Sequence, residues 1–270
     1  MAMRLWHQSF TVLQDLGPYA DALTRHVARI CRPDTEVVLH GMAPGTYPSN
    51  YPGTDIQHVA PQYLHGAQFI AGALQAQKEN YDGFLLCTLP EPALTEVRSV
   101  VDMPVVGYCE AALRVAGFLG QRVGILSFIE GMVPLVEANA RKHGLGDHFG
   151  GARHAGFAFA DVLKGFTDPG PLIERFKTAA RAMIADGVDV IIPGELPLCT
   201  LLSTNGISRV DDVPIIDSFA AVIATAEMLV DLRRKLGLKA STRGYFQSSP
   251  GAERIEQLAS FYGLGAWPQG

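Results

Sequence analysis

Glu195 stands directly after Gly194 at the close of one apolar run, and Thr88 closes another that ends in Cys87. A carboxyl at the mouth of a buried run is a ready acid or base, because burial raises its pKa from about 4.3 toward neutrality. A Thr hydroxyl is too weak an acid to act as a base near pH 7, but it donates well to a carboxylate or a developing enolate oxygen. Two further run ends carry polar groups: Ser127, followed by Phe128, closes VGILS, and His7 and Gln8 close the first run ahead of Ser9. Each has a plainer reading. Glu195 could be an acid in the first turn of a following helix, favoured by its dipole. Thr88 could be a helix N-cap, Ser127 another cap, and Cys87 a buried thiol that only fills space. Asp217 reads as the cap of the Ala-rich stretch that follows it.

These residues matter only if strands bring them together. The apolar runs Arg4–Gln8, Glu36–His40, Gly83–Cys87, Val105–Gly107, Val123–Ser127, Val188–Pro193 and Pro214–Ile216 are short and bounded by Gly, Pro and Asp. Most lack polar alternation, as strands of a parallel sheet do when both faces are covered. Between them, Tyr63, Ala67, Ile70 and Leu74 recur at helical spacing, as do Leu172, Phe176, Ala179 and Met183, with Gly187 placed to end the second helix. Strand and helix in alternation predict a doubly wound α/β architecture. A weak repeat joins YDGFLLCT and DMPVVG to VDVIIPGE and DVPIID, each pair followed by an Ala-rich helix. It predicts two pseudo-symmetric parallel-sheet lobes, residues 1–117 with 218–270 and residues 118–217, with a site between them. Open parallel sheets hold ligands beyond the carboxyl ends of their strands, which are the ends that carry the residues above. The Gly/Pro-rich stretch from Gly41 to Asp55, containing Tyr47–Tyr51, reads as a loop long enough to act as a lid.

Composition narrows the function. Apolar residues make up 48% of the 270 and charged residues 18%, with a formal net charge of -5, which argues against nucleic acid as a partner. The four cysteines (Cys31, Cys87, Cys109, Cys199) lie far apart, which suits a reducing compartment better than disulfides or a structural zinc. The start lacks the long apolar region of a secretion signal, and the most apolar helix candidate, over 214–230, is too short to span a bilayer and carries Asp217 and Glu227. A cytoplasmic protein is expected, away from membranes. No G-x-G-x-x-G follows an early strand, and neither a P-loop nor a G-x-S-x-G elbow occurs. The eight dispersed histidines suggest no metal site.

The stretches YDGFLLCTLPEPAL (81–94), DMPVVGYCEAALRVAGFLGQRVGILS (102–127), GVDVIIPGELP (187–197) and DVPIIDSFAAVIATAE (212–227) resemble the aspartate/glutamate/hydantoin racemase superfamily, in its hydantoin racemase branch. The resemblance implies a cofactor-independent enzyme, homo-oligomeric, acting on a small molecule held between two similar lobes. It further implies a cysteine at one strand end in each lobe, one removing a proton and the other returning one from the opposite face. Counted from the leading Asp of each strand, the two cysteine positions fall on Thr88 and Glu195, and Glu91-Pro92 then fits the acidic-Pro pair of the family. A register one residue earlier would put Cys87 in the first position and lose that match.

A Thr/Glu pair predicts one-sided chemistry: Glu195 as acid/base, Thr88 as oxyanion or carboxylate donor, and Cys87 beside them. His7, Gln8, Ser127, Phe128 and Gly194 would hold the substrate. An isomerase on a small carboxylate or cyclic amide is the first expectation. A decarboxylating lyase, a ring-amide hydrolase and a non-catalytic small-ligand binder are the alternatives.

Overall fold

The structure is a computed structural model that describes residues 2–263. Among the described residues, seven parallel strands form two sheets: β1 (Met3–Gln8), β2 (Thr35–His40), β3 (Gly83–Leu86) and β4 (Val105–Gly107) in one, and β5 (Val123–Ser127), β6 (Phe149–His154) and β7 (Val190–Pro193) in the other. The first sheet runs β2-β1-β3-β4 and the second β6-β5-β7. Ile215 adds a parallel bridge to Ile191, so the second sheet repeats the strand order of the first. Two short antiparallel strands, β8 (Arg209–Val210) and β9 (Val213–Pro214), turn the chain into that bridge. The doubly wound α/β architecture expected from the alternation is the one that forms. β3, β4, β5 and β7 are buried along their whole length, as their unbroken apolar runs require.

The sequence reading misses β6. Its residues FGGARH carry two glycines and two basic groups, and only Ala152 of the six is buried. An edge strand has few apolar neighbours to demand a pattern. The strand expected over Pro214–Ile216 is instead β9 plus the Ile215 bridge. The face read from Tyr63, Ala67, Ile70 and Leu74 is also not the buried one. In the helix Val59–Lys78 the core-facing residues are Gly66, Phe69, Ala73 and Ala76, while Tyr63 is 81% exposed. Small residues win that face because the helix lies close against a loop: a Cβ at Gly66 would sit 3.3 Å from that of Ala93. The helix Pro169–Ala185 buries Leu172, Phe176 and Met183 as its spacing predicts, and Gly187 follows it at φ 89°.

Each sheet is pinned at the entry to its inner strand by an aspartate. Asp82, just before β3, accepts the backbone N–H of Arg4 in β1 at 2.8 Å. Asp189, just before β7, accepts those of Gln121 and Arg122 at 3.0 and 2.7 Å, at the start of β5. The same residue type makes the same bond in both sheets, which gives the weak sequence repeat a physical content. Hydrogen bonds to a carboxylate in a partly exposed position contribute about 1–2 kcal/mol. Asp189→Ala is therefore expected to lower the urea midpoint by about that free energy. An unchanged midpoint would remove the pinning role.

Candidate active site

The registers of the two sheets define equivalent positions. Gln8 pairs with Leu86, and Leu126 pairs with Pro193. One residue further on, the Cys87 N–H donates to the Gln8 carbonyl and the Gly194 N–H to the Leu126 carbonyl, both at 2.8 Å. Thr88 and Glu195 are thus equivalent, as are Ser9 and Ser127. The sequences around them then fall into step: Ser9-Phe10 matches Ser127-Phe128, and Thr88-Leu89-Pro90 matches Glu195-Leu196-Pro197. Cys87 is the counterpart of Gly194, so it is Thr88 that stands opposite Glu195.

Both tips face one small cavity of about 40 Å³. Phe10, Ile56, Phe128, Ile129, Phe159 and the Leu-Pro pairs 89–90 and 196–197 supply its apolar wall. Ser9, Thr11, Tyr19, Tyr51, Cys87, Thr88 and Glu195 supply its polar groups. No Lys, Arg or His lines it, and among the described residues no group of three or more His, Cys, Asp or Glu could hold a metal ion.

Among the described residues, Glu195 is the only carboxyl in the lining. It occupies the N-cap position of the helix Leu196–Thr204 without making the capping bond. Its side chain turns instead to β5, where Oε1 accepts from the Ser127 hydroxyl and Oε2 from the Phe128 N–H at 3.1 Å. Burial raises its pKa to about 7, against the pull of those donors, which favour the charged form. The dipole-acid reading therefore does not describe what its carboxyl touches. Thr88 caps no helix either, since the next helix begins at Leu94 with Ala93 as its cap. Its hydroxyl makes no hydrogen bond among the described residues, and the residue lines the cavity. Cys87 lines the cavity as a neutral thiol, because burial pushes its pKa well up.

Four of the residues expected to touch substrate are turned to other work. Ser127 is fully buried, lies outside the lining and holds Glu195; its Oγ also accepts the Ile129 N–H at 3.1 Å. His7 Nδ1 meets the His40 carbonyl at 3.1 Å, and burial lowers its pKa to about 3, so it is a neutral ring inside the sheet. Gln8 Nε2 donates to the Gly41 carbonyl at 2.7 Å and its Oε1 accepts from Trp6. Gly194 is a spacer: a Cβ there would lie 3.0 Å from the Leu126 carbonyl oxygen and from Leu89. Phe128 does line the cavity. Asp217 caps the helix Ser218–Leu236 through the Ala220 N–H at 3.0 Å, as its position suggested.

Sequence reasoning passed over Thr11, Tyr19 and Phe159, and grouped Ser9 with His7 and Gln8 as a polar contact at the end of the first strand. The doubled Ser-Phe and Leu-Pro pairs were a signal for Ser9 and Phe10. Tyr19 and Phe159 lie on helices and reach the cavity only through the fold. The loop after Thr88 is built with strain, since Glu91 and Ala93 have φ of 50° and 55°. Buried contacts hold it there. Glu91 accepts from the Glu110 N–H at 2.8 Å and pairs with His143 Nε2 at 2.6 Å, and Asn139 Nδ2 donates to the Leu89 and Pro90 carbonyls at 3.3 and 3.1 Å.

The end of the Gly/Pro-rich stretch borders this cavity. Tyr51, Pro52 and Ile56 line it, and the Tyr51 ring stacks on Phe159 at 5.1 Å, which in turn stacks on Phe128 at 5.9 Å. Burial and the nearby Glu195 carboxyl both raise the Tyr51 pKa.

Residues 19–226 match the family model described as Asp/Glu/Hydantoin racemase. A hydantoin racemase of Rhizobium meliloti is 25% identical over 193 residues, which is 71% of this chain and 77% of that protein. Among solved structures, the allantoin racemase from Klebsiella pneumoniae superposes with a TM-score of 0.76 at 19% identity, covering 93% of this chain and 95% of that one. A liganded mutant of arylmalonate decarboxylase superposes with a TM-score of 0.60 at 17% identity, covering 92% and 99%. At such identities these two likenesses speak for the fold alone. With the family model covering more than half of the chain, from β2 through β7 and both Thr88 and Glu195, this chain belongs to the Asp/Glu/hydantoin racemase family, an enzyme of the racemase class.

Proposed function

We propose that this enzyme moves a proton at a carbon next to a carbonyl of a small cyclic amide or carboxylate, with Glu195 as the acid/base and Thr88 as the neutral donor opposite. The observation that carries this reading is a single buried carboxyl, poised near pH 7, across one cavity from a hydroxyl without a partner. The Glu195 carboxylate takes the proton from carbon. The C–H electron pair moves into the bond toward the carbonyl, and charge gathers on the carbonyl oxygen. Thr88 donates to that oxygen, in a nearly dry site where such a bond is strongest. The carboxylic acid so formed returns the proton to a neighbouring carbon, since return to the same face of the same carbon would only regenerate the substrate, and neither metal nor cofactor enters the cycle. A lining without a cation favours a neutral ring amide over a dicarboxylate, in keeping with the hydantoin named for the relatives. With Thr and Glu where the family resemblance implies two cysteines, proton transfer is confined to one face.

The near-neutral pKa of Glu195 also favours a second reading, decarboxylation. There the electron pair left by departing carbon dioxide forms the same enolate, and protonated Glu195 supplies the proton. The two readings differ in the sign of their pH dependence. As a base, Glu195 must be ionised, so the rate is expected to rise with pH through an inflection near 7; as the acid of a decarboxylase, the rate falls through it. Deuterium uptake from solvent into the substrate carbon measures the first directly. Glu195→Gln is expected to slow that uptake by about 10³-fold while sparing binding. Uptake at the parental rate in this variant would end the assignment.

The same carboxyl destabilises the fold at neutral pH. Its folded pKa of about 7 lies above the ordinary value of 4.5, so between those pH values the native state keeps a proton that the unfolded chain has released. Stability therefore falls as pH rises through that window, by roughly 3 kcal/mol in all. Glu195→Gln is expected to raise Tm by several degrees at pH 8 and to change it little at pH 5, as calorimetry can check.

A cavity of about 40 Å³ has room for little more than a water or two, so substrate entry requires the Tyr51 stretch to swing away and re-seat. Its aromatic stack should be worth about 0.5–1.5 kcal/mol. Tyr51→Ala is expected to weaken substrate affinity by about three- to tenfold. Parental affinity in that variant would rule out closure by this segment.

A further inference from the structure

Tyr19 lies in the first turn of the helix Gly17–Ile30, an element that none of the strand tips includes. Its side chain is 1% exposed, its ring leans on Phe166 at 5.6 Å, and it lines the cavity that holds Thr88 and Glu195. Its hydroxyl is buried and meets no hydrogen-bond partner among the described residues. An O–H removed from water without a replacement partner is destabilising, and native proteins seldom leave one so. The other polar groups near Tyr19 in the lining do not supply the partner. Thr88 keeps its own hydroxyl free, and the Ser9 and Thr11 hydroxyls pair with each other at 2.9 Å.

We propose that the Tyr19 hydroxyl is a substrate contact, donating to a second carbonyl oxygen of the bound ring, the one not held by Thr88. The inference rests on the reading of this cavity as the substrate site and adds a residue that fixes which ring fits. A cyclic imide carries two carbonyls, and two neutral donors on separate elements match two acceptors better than they match one carboxylate. Burial first, then the Cys87 and Cys199 thiols, raise the pKa of the phenol well above its ordinary value, which keeps it a donor at any working pH. The phenol also touches no proton in flight, so its loss should act on binding more than on the pH profile set by Glu195.

The test is calorimetric titration of the full chain with a hydantoin bearing a benzyl group, alongside thermal unfolding of the ligand-free protein. Tyr19→Phe is expected to weaken binding about tenfold and to leave the unliganded Tm unchanged or raised, because an unsatisfied hydroxyl has been removed. Tyr108→Phe serves as the control: Tyr108 is as deeply buried but does not line the cavity, and affinity should stay at the parental value. Parental affinity in Tyr19→Phe, with a lowered Tm, would instead assign the hydroxyl to a structural water and overturn the proposal. Solvent exchange is read separately. A parent protein that binds the hydantoin without exchange sinks the proton-transfer reading and leaves Tyr19 to be judged by the titration. A parent that does not bind it at all overturns both.

Discussion

Removing a carboxyl from water at the end of a buried strand is costly unless donors replace the solvent, and that cost organises the centre of this molecule. Glu195 sits at the tip of β7, and β5 beside it supplies the Ser127 hydroxyl and the Phe128 N–H. The two donors stabilise the charged form but do not cancel burial, so the group settles near pH 7 instead of in the usual carboxylate range. A weaker cradle would leave the acid protonated at working pH, and a stronger one would leave it a poor base. The register of β5 against β7 therefore does more than hold a sheet together, since it sets the protonation of the group at its edge.

The other bank is built by the same plan with different side chains. Ser9 and Thr88 occupy the places that Ser127 and Glu195 occupy across the cavity, yet the hydroxyl of Ser9 turns to Thr11 and that of Thr88 is left open. Strain in the loop beyond Thr88 is held by Glu91, His143 and Asn139, the last two carried on the helix after β5. Groups that follow the second sheet's β5 thus hold the loop after Thr88, whereas Glu195 is held by β5, the strand beside its own.

Much of this could be read in advance because buried parallel strands announce themselves. Val105–Gly107 and Val123–Ser127 were readable to the residue, since every position in them is covered and all but the closing Ser127 lack polar side chains. The edge strand Phe149–His154 was not, because half-exposed residues accept glycine and charge alike. The chemistry divides in the same way. Thr88 and Glu195 were legible from their places at strand ends. The duty of Ser127 was not, because a hydroxyl at a strand tip serves a ligand or a neighbouring carboxyl with equal ease, and only the turn of the Glu195 side chain decides. Tyr19 and Phe159 were invisible for another reason: helical periodicity reports that a side chain is buried, not which void it borders. The buried face of Val59–Lys78 was misjudged because large apolar residues were counted as core and small ones were not, while close approach to Ala93 selects the small.

The near-duplicate tips carry one more implication. Ser-Phe and Leu-Pro recur on both banks, so the backbone around the acid has a close counterpart on the opposite bank. Under the proposed chemistry, the enantioface from which hydrogen is drawn is then set by which of the two frames bears the carboxyl. Exchanging Thr88 and Glu195 between the frames would present the base to the mirror-related face of a planar intermediate, so that chirality in such an enzyme can invert without any change of fold.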